Sequence, residues 1–193
     1  NRKFFEEKII YLPSFQVNDT KDVRPESFFS RKDLNLPEQG FIFCCFNNTY
    51  KINPACFDSW ARILDNVEGS VLMIYVKNKL SKKNLTKEIK QRGVDSSRLI
   101  FANALPRPEY LARYRVVDLF LDTTPYNAGT TASDALRMGL PVLTLIGTSY
   151  QSRMAASILN SVGLPELITT SQKDYEFHAI ELATKPEKLK NIK

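Results

Sequence analysis

The amino-acid sequence predicts an α/β fold, a doubly wound parallel sheet of the Rossmann-like type. Short apolar runs alternate with segments of helical periodicity from residue 40 onwards. The runs are apolar at nearly every position, which is typical of parallel strands that helices cover on both faces. Several helical segments are followed by glycine, which favours a helix end. These observations together predict one domain that covers most of the chain.

Each predicted strand is a run of three to six mainly apolar residues, shorter than a typical helix. The fourth run ends in a carboxylate, at Asp122. In chain order, strands are predicted at residues 41–46, 71–75, 98–102, 119–122, 142–145 and 167–169.

The helices are predicted from periodic apolar residues, with proline near two of the starts. Pro54 lies at the first helix start and Pro108 in the first turn of the third, where proline is tolerated. Gly93, Gly139 and Gly163 follow the second, fourth and fifth helices. The first helix runs from Pro54 through Leu64, and the others are predicted at residues 83–91, 107–115, 130–138, 152–161, 171–183 and 186–192.

Composition excludes several classes of protein. Hydrophobic content of 43% and charged content of 25% are ordinary for a globular domain, and no apolar run is long enough to span a membrane. The net charge is +6, but the basic cluster at residues 77–92 lacks interleaved aromatic residues, so a nucleic-acid partner is not expected. Cys44, Cys45 and Cys56 form neither a disulfide framework nor metal spacing, which favours a reducing, cytoplasmic location.

The loop after the fourth strand is the most informative part of the sequence. Asp122 ends the strand, and a helix opens at Thr130 and Thr131 after Gly129. The first amides of a helix, together with its dipole, attract anions. Asp134 lies about one turn further along the same side. The pattern suits a nucleotide sugar, with amides for the diphosphate and a carboxylate for a hydroxyl.

An ordinary strand–loop–helix corner would explain the same residues, with Thr130 as N-cap and Asp134 as a first-turn acid. The loop carries neither a Walker motif nor the Gly-x-Gly-x-x-Gly fingerprint.

Other candidate residues converge on the same edge of the predicted sheet. Ligands of such sheets bind beyond the carboxyl ends of the strands, where the loops after residues 46, 102, 122 and 145 lie. Lys51 follows the first strand, and its positive charge could neutralise a donor diphosphate and a leaving nucleotide. A solvated loop lysine is the alternative.

Residues 126–136, Tyr-Asn-Ala-Gly-Thr-Thr-Ala-Ser-Asp-Ala-Leu, closely resemble the bacterial O-linked N-acetylglucosamine transferases, the SPINDLY-like glycosyltransferases that carry tetratricopeptide repeats. The segments 44–54, 152–157 and 163–168 resemble elements of the same family, in the same order. The resemblance runs from about Lys8 to the last residue.

The resemblance implies the C-terminal half of a GT-B glycosyltransferase. Residues 1–39 would be an interdomain linker and residues 40–193 the nucleotide-sugar donor-binding domain. It further implies inverting, metal-independent transfer of N-acetylglucosamine from UDP-GlcNAc to protein Ser or Thr, with no cofactor beyond the UDP-sugar. The chain begins at Asn1 rather than methionine, so we expect a longer protein whose preceding regions bind the acceptor. UDP-glucose or GDP-fucose as donor, and a non-catalytic sugar-nucleotide-binding module, remain alternatives.

The resemblance also assigns residues to the donor. Lys51 would contact the diphosphate in catalysis, and Asn48 would offer a donor-contacting amide. The segment 103–113 would hold the uracil, and Asp134 the ribose. The predicted nucleotide-binding residues are Asn48, Ala104, Arg107, Tyr110, Arg113, Gly129, Thr130, Thr131 and Asp134.

Two positions depart from the animal enzymes. Tyr110 replaces a stacking histidine, and an aromatic ring can still stack on a base. Gly129 stands where those enzymes have another histidine, so only backbone amides are expected to act there. His178 is the one histidine in the sequence and lies in a late helix, where we expect a surface or packing role.

Overall fold

The computed structural model describes Lys3, residues 5–13 and residues 29–192. Its strands, in chain order, are β1 (Ile42–Cys45), β2 (Val71–Tyr75), β3 (Leu99–Ala102), β4 (Leu119–Leu121), β5 (Val142–Leu145) and β6 (Ile168–Thr169). They form one sheet in the order β3-β2-β1-β4-β5-β6, and each pairing is parallel. The doubly wound parallel sheet is confirmed.

Helices follow the strands and cover the sheet. They are α1 (Pro54–Asn66), α2 (Lys79–Gln91), α3 (Arg107–Ala112), α4 (Thr130–Arg137), α5 (Met154–Ser161), α6 (Gln172–Thr184) and α7 (Pro186–Ile192). None of the helices among the described residues is long and apolar enough to cross a bilayer.

The core lies on both faces of the central strands. Every residue of β1 and β4 is buried, because these two strands pair with each other in the middle of the sheet. On α1, the apolar side chains of Trp60 and Ile63 are fully buried at helical spacing. The buried strands match the continuous apolar runs of the sequence, and the buried face of α1 matches its helical periodicity.

Several helix boundaries differ from the sequence prediction, and three of the differences involve a cap or a 3-10 turn. The α2 helix begins at Lys79 rather than residue 83, because the Asn78 side chain accepts a hydrogen bond from the Ser81 amide and caps it. The predicted helix 107–115 is α-helical only to Ala112, and Arg113–Val116 continue as a 3-10 helix. Similarly, α5 is preceded by a 3-10 turn at Gln151–Arg153.

The predicted linker lies partly outside the described residues, and the division at residue 40 stays a prediction. Residues 5–13 contain neither helix nor strand. Closer to the sheet, Arg31 donates to the Asp118 carboxylate at 3.1 Å and to the Gly40 carbonyl at 2.8 Å. Leu36 is 5% exposed and joins the core. Residues just before β1 therefore pack against the domain.

Candidate functional site

The strand order creates a crevice between β1 and β4. From β1 the chain winds toward β2 and β3, whereas from β4 it winds toward β5 and β6. The loops that leave β1 and β4 therefore diverge, and ligands of doubly wound sheets bind in the gap that results. The loops after both strands carry the residues described below.

Asp122 organises the loop that leaves β4. Its carboxylate is buried and accepts hydrogen bonds from the amides of Thr123 and Ala128, both at 2.7 Å, and from the Thr144 hydroxyl at 2.7 Å. Burial raises the pKa of this carboxyl from 3.8 to about 6, and the hydrogen bonds act in the opposite direction. The loop 123–128 is thus folded around one buried acid.

Asn47 links the two sides of the crevice. Its amide nitrogen donates to Asp122 at 3.1 Å and to the Thr123 hydroxyl at 2.8 Å, and its amide oxygen accepts from the Thr131 hydroxyl. Sequence reasoning missed this residue, which stands directly beside the predicted Asn48. The available signal was its position directly after the apolar run 41–46, where a side chain is expected to be buried.

The α4 helix begins inside the crevice. Gly129 is its N-cap and is buried, and no described side chain caps it, whereas Asn53, Asn78 and Ser171 cap α1, α2 and α6. The alternative assignment of Thr130 as N-cap is therefore wrong. An uncapped helix start with small residues leaves amides available to an anion.

Lys51 lies across from this helix start. It ends a 3-10 turn, Thr49–Lys51, and its ammonium donates to the Asn127 carbonyl at 2.9 Å. The same ammonium is 3.9 Å from the ring centroid of Tyr126. Burial lowers the pKa of Lys51 below its ordinary 10.5, while the Asp122 carboxylate acts to raise it. The lysine is half-buried and held, unlike a solvated loop lysine.

A first cavity of about 270 Å³ brings most of the predicted phosphate-binding residues together. It lies between the Thr49–Lys51 turn and the start of α4. Its lining residues are Phe46, Asn47, Asn48, Tyr50, Lys51, Tyr75, Tyr126, Gly129, Thr130, Thr131 and Met154. Asn48 is exposed at this cavity, and its side chain makes no capping bond to the turn.

A second cavity of about 220 Å³ adjoins the first, and three residues line both. The shared residues are Phe46, Tyr75 and Thr131, and the second cavity adds Ala104, Leu105, Tyr110 and Arg113. Three of the residues that the resemblance assigns to uracil therefore lie here. The two cavities form one cleft along the carboxyl edge of the sheet.

Arg113 is almost fully buried beside this second cavity. Its side chain donates to the Asn103 carbonyl at 2.9 Å, and its guanidinium carbon is 4.0 Å from the Phe46 ring centroid. Its Nε atom has no hydrogen-bond partner among the described residues. An unpaired buried donor is costly. Burial lowers the pKa of this arginine below its ordinary value.

Tyr110 is held by Tyr114, 2.5 Å away between the two hydroxyl oxygens. Burial raises the pKa of both phenols, which keeps them neutral. The Tyr110 ring lines the second cavity, so its predicted stacking on a base remains a prediction that the geometry allows.

Arg107 and Asp134 line neither cavity but pair with each other. The guanidinium donates to both carboxylate oxygens at 2.7 Å, and the Asp134 side chain is 1% exposed. A carboxylate can accept further hydrogen bonds while it holds a bidentate arginine. The predicted ribose contact of Asp134 stays a prediction, and Arg107 is the residue that orients this acid.

The described residues contain no group of three or more His, Cys, Asp and Glu side chains that could hold a metal ion. The three cysteines are buried and unpaired, and burial raises the pKa of each thiol. They are small core residues, not nucleophiles.

A family model matches the sequence over most of the chain. The model of glycosyl transferase family 41 matches residues 17–193. Two curated relatives are similar in sequence. The UDP-N-acetylglucosamine–peptide N-acetylglucosaminyltransferase of Caenorhabditis elegans is 35% identical over 164 residues. The probable enzyme of this type named SEC, from Arabidopsis thaliana, is 33% identical over 195 residues.

The alignments cover 85% and 97% of this chain but only 14% and 20% of those relatives, so the chain spans a small part of their length. Among solved structures, a mutant of the O-GlcNAc transferase of Thermobaculum terrenum superposes with a TM-score of 0.77 and 33% identity. That match covers 79% of this chain and 30% of the other.

Proposed function

This chain belongs to glycosyl transferase family 41, and we propose that its cleft binds the UDP part of a UDP-GlcNAc donor. The observation that supports this proposal most strongly is that the Lys51 ammonium lies opposite the uncapped start of α4, across one cavity. A positive charge and free helix amides facing one space suit a diphosphate.

The adjoining second cavity indicates which end of the nucleotide carries the base. Its walls are the aromatic and apolar side chains of Phe46, Tyr75 and Tyr110, together with the buried Arg113. Such walls suit a flat base. We therefore place the uracil in the second cavity and the diphosphate in the first.

The whole protein, in this proposal, transfers N-acetylglucosamine to Ser or Thr hydroxyls of proteins. Support comes from the two relatives, which are named as peptide N-acetylglucosaminyltransferases. The hydroxyl oxygen bonds to the anomeric carbon, the bond from that carbon to the β-phosphate oxygen breaks, and UDP leaves with the electron pair. Lys51 and the α4 dipole stabilise the negative charge that develops on UDP.

The hydroxyl proton requires a general base, which we place in a part of the protein outside this chain. His178 is the sole histidine of the sequence, and it lies on α6, which contributes no residue to either cavity. The acceptor-binding surface belongs to those other regions as well.

Calorimetric titration of the chain with UDP, uridine and GDP, in the presence of EDTA, tests the nucleotide assignment. We expect UDP to bind, and GDP to bind more weakly because the second cavity fits a pyrimidine. In Lys51→Met the UDP affinity should fall by roughly 10- to 150-fold, which corresponds to the loss of about 1.5–3 kcal/mol from a charged hydrogen bond. Uridine, which lacks phosphates, should bind both proteins equally.

Lys87→Met is the matched control, because Lys87 is an exposed lysine on α2 that lines neither cavity. Equal UDP affinity of wild type and Lys51→Met would overturn the phosphate assignment. Stronger binding of GDP than of UDP would favour a guanine-nucleotide donor instead.

A further inference from the structure

The ammonium of Lys51 is held by two consecutive residues of the loop that leaves β4. Its hydrogen bond goes to the Asn127 carbonyl at 2.9 Å, and the face of the Tyr126 ring lies 3.9 Å away, measured to the centroid. Lysine carries its charge on a flexible four-carbon stem, so an unrestrained ammonium would sample many positions. The two contacts restrict it to the side of the cavity that faces α4.

We propose that Tyr126 is a positioning residue for Lys51, acting through its ring face. The inference rests on the proposed function, because it assigns Tyr126 a part in the same diphosphate site. A cation–π contact at a partly exposed position is worth about 0.5–2 kcal/mol. That energy orders the ammonium before the anion arrives, so less ordering is left to the binding step.

The backbone around Tyr126 is fixed independently of its ring. The Tyr126 carbonyl accepts from the Thr123 hydroxyl at 2.6 Å, and the Asn127 side chain, itself fully buried, donates to the Thr123 carbonyl at 2.8 Å. The Asn127 amide donates to the Gln151 carbonyl at 3.0 Å. A change of the Tyr126 side chain should therefore leave the loop in place.

The ring itself is on the rim of the cavity. Tyr126 is 39% exposed, and the ring of Tyr50 packs against it at 6.2 Å between centroids. Tyr50 is 70% exposed and carries no cation contact of its own in the described structure. Because Tyr50 lines the same cavity, the control for general loss of an exposed aromatic ring is Phe177 on α6, which lines neither cavity.

The test is a double-mutant cycle on UDP affinity, measured by calorimetry on the whole chain. Tyr126→Phe keeps the ring face and should bind UDP within about twofold of wild type. Tyr126→Leu and Tyr126→Met remove the ring and should weaken UDP binding by roughly 2- to 30-fold, the range that corresponds to the cation–π energy. Phe177→Leu, which removes an exposed ring on α6 away from both cavities, should bind as wild type does. Uridine affinity should not change in any variant.

The decisive comparison is made in the Lys51→Met background. There the loss of the Tyr126 ring should have no further effect on UDP affinity, because the ring acts only through the ammonium. An equal loss in both backgrounds would overturn the inference, since the ring would then contact the nucleotide or hold the loop. Unchanged affinity of folded Tyr126→Leu and Tyr126→Met would also overturn it. Absence of UDP binding by the wild-type chain would instead overturn the proposed function itself.

Discussion

At the scale of single residues, the site depends on buried polar groups, most of whose atoms are hydrogen-bonded. The Asp122 carboxylate accepts from two amides, one hydroxyl and the Asn47 amide. Arg113 is 1% exposed, and its guanidinium lies over the Phe46 ring. The Asp134 carboxylate forms an ion pair with Arg107. Such groups are costly to bury unless they are paired, and most of these pairs hold a loop at the mouth of the cleft.

The raised pKa of Asp122 predicts how stability changes with pH. In the unfolded chain this carboxyl titrates near 3.8, whereas in the folded protein it titrates at about 6. Between these values the folded protein holds a proton that the unfolded chain has lost, so the contribution to stability is full below pH 3.8 and is lost as pH rises through about 6. The difference between the two pKa values corresponds to about 3 kcal/mol in the free energy of unfolding.

Asp122→Asn should remove this dependence. The amide oxygen can still accept from the Thr123 and Ala128 amides, and the Thr144 hydroxyl can turn to accept from the amide nitrogen. Urea unfolding of both proteins across the interval from pH 4 to pH 6 should show a stability difference that changes with pH. Parallel stability curves would show that Asp122 does not titrate in this interval.

At the scale of secondary-structure elements, helix caps connect the scaffold to the cleft. Asn53 caps α1 by accepting from the Cys56 amide at 2.9 Å, and it also donates to the Thr124 carbonyl in the loop after β4. Asn78 caps α2 in the same way, through the Ser81 amide at 2.8 Å. The structure contains no second contact of the Asn78 side chain among the described hydrogen bonds. The Asn53 cap is thus hydrogen-bonded to the loop after β4, whereas the Asn78 cap is not.

The two caps give a matched pair of variants. Asn78→Ala should reduce the free energy of unfolding by about 1 kcal/mol, the usual value of a lost N-cap. Asn53→Ala should cost about 1 kcal/mol more, because it also leaves a partly buried carbonyl unpaired, and it should weaken UDP binding as the loop loosens. Denaturant titration and calorimetry of both variants provide the measurement. If both variants lost the same free energy of unfolding and bound UDP equally well, the contact of Asn53 with Thr124 would contribute nothing to stability or binding.

At the scale of the whole molecule, helix α6 supports the start of the loop after β4 from the core. The Tyr175 hydroxyl donates to the Asp122 carbonyl at 3.0 Å and accepts from the Trp60 indole at 3.2 Å. Glu176 on the next position accepts from Ser59 and pairs with Arg62 on α1. The sheet, α1 and α6 therefore form one support for the loop that carries the proposed phosphate site.

The sequence predicted much of this architecture because its signals are local. Apolar runs and glycine stops predicted six strands in a parallel sheet. The anion site at the start of α4 stays a prediction, and the structure shows an uncapped helix start there. The pairing of Arg107 with Asp134, 27 residues apart, could not be predicted because it depends on how two loops meet. Likewise, composition does not show which arginine is buried. Arg107 and Arg113 were both predicted to bind the nucleotide, and of the two it is Arg113 that is buried and lines a cavity.

The predicted contacts of Asn48, Ala104 and Tyr110 with a nucleotide stay predictions. The structure places all three on the walls of the cleft, as expected for loops at the carboxyl edge of a parallel sheet. Asn47 shows why neighbours of a predicted residue need attention. It has the same side chain as Asn48, but it is buried and connects β1 with α4, whereas Asn48 is exposed to the cavity.

A crystal structure of the chain with UDP would test the central claim most directly, that the crevice between β1 and β4 is a diphosphate site. We predict phosphate oxygens at about 3 Å from the Lys51 ammonium and from the first amides of α4, with the uracil between Tyr110 and Arg113. A nucleotide bound with its phosphates away from Lys51, or with its base in the first cavity, would contradict the account.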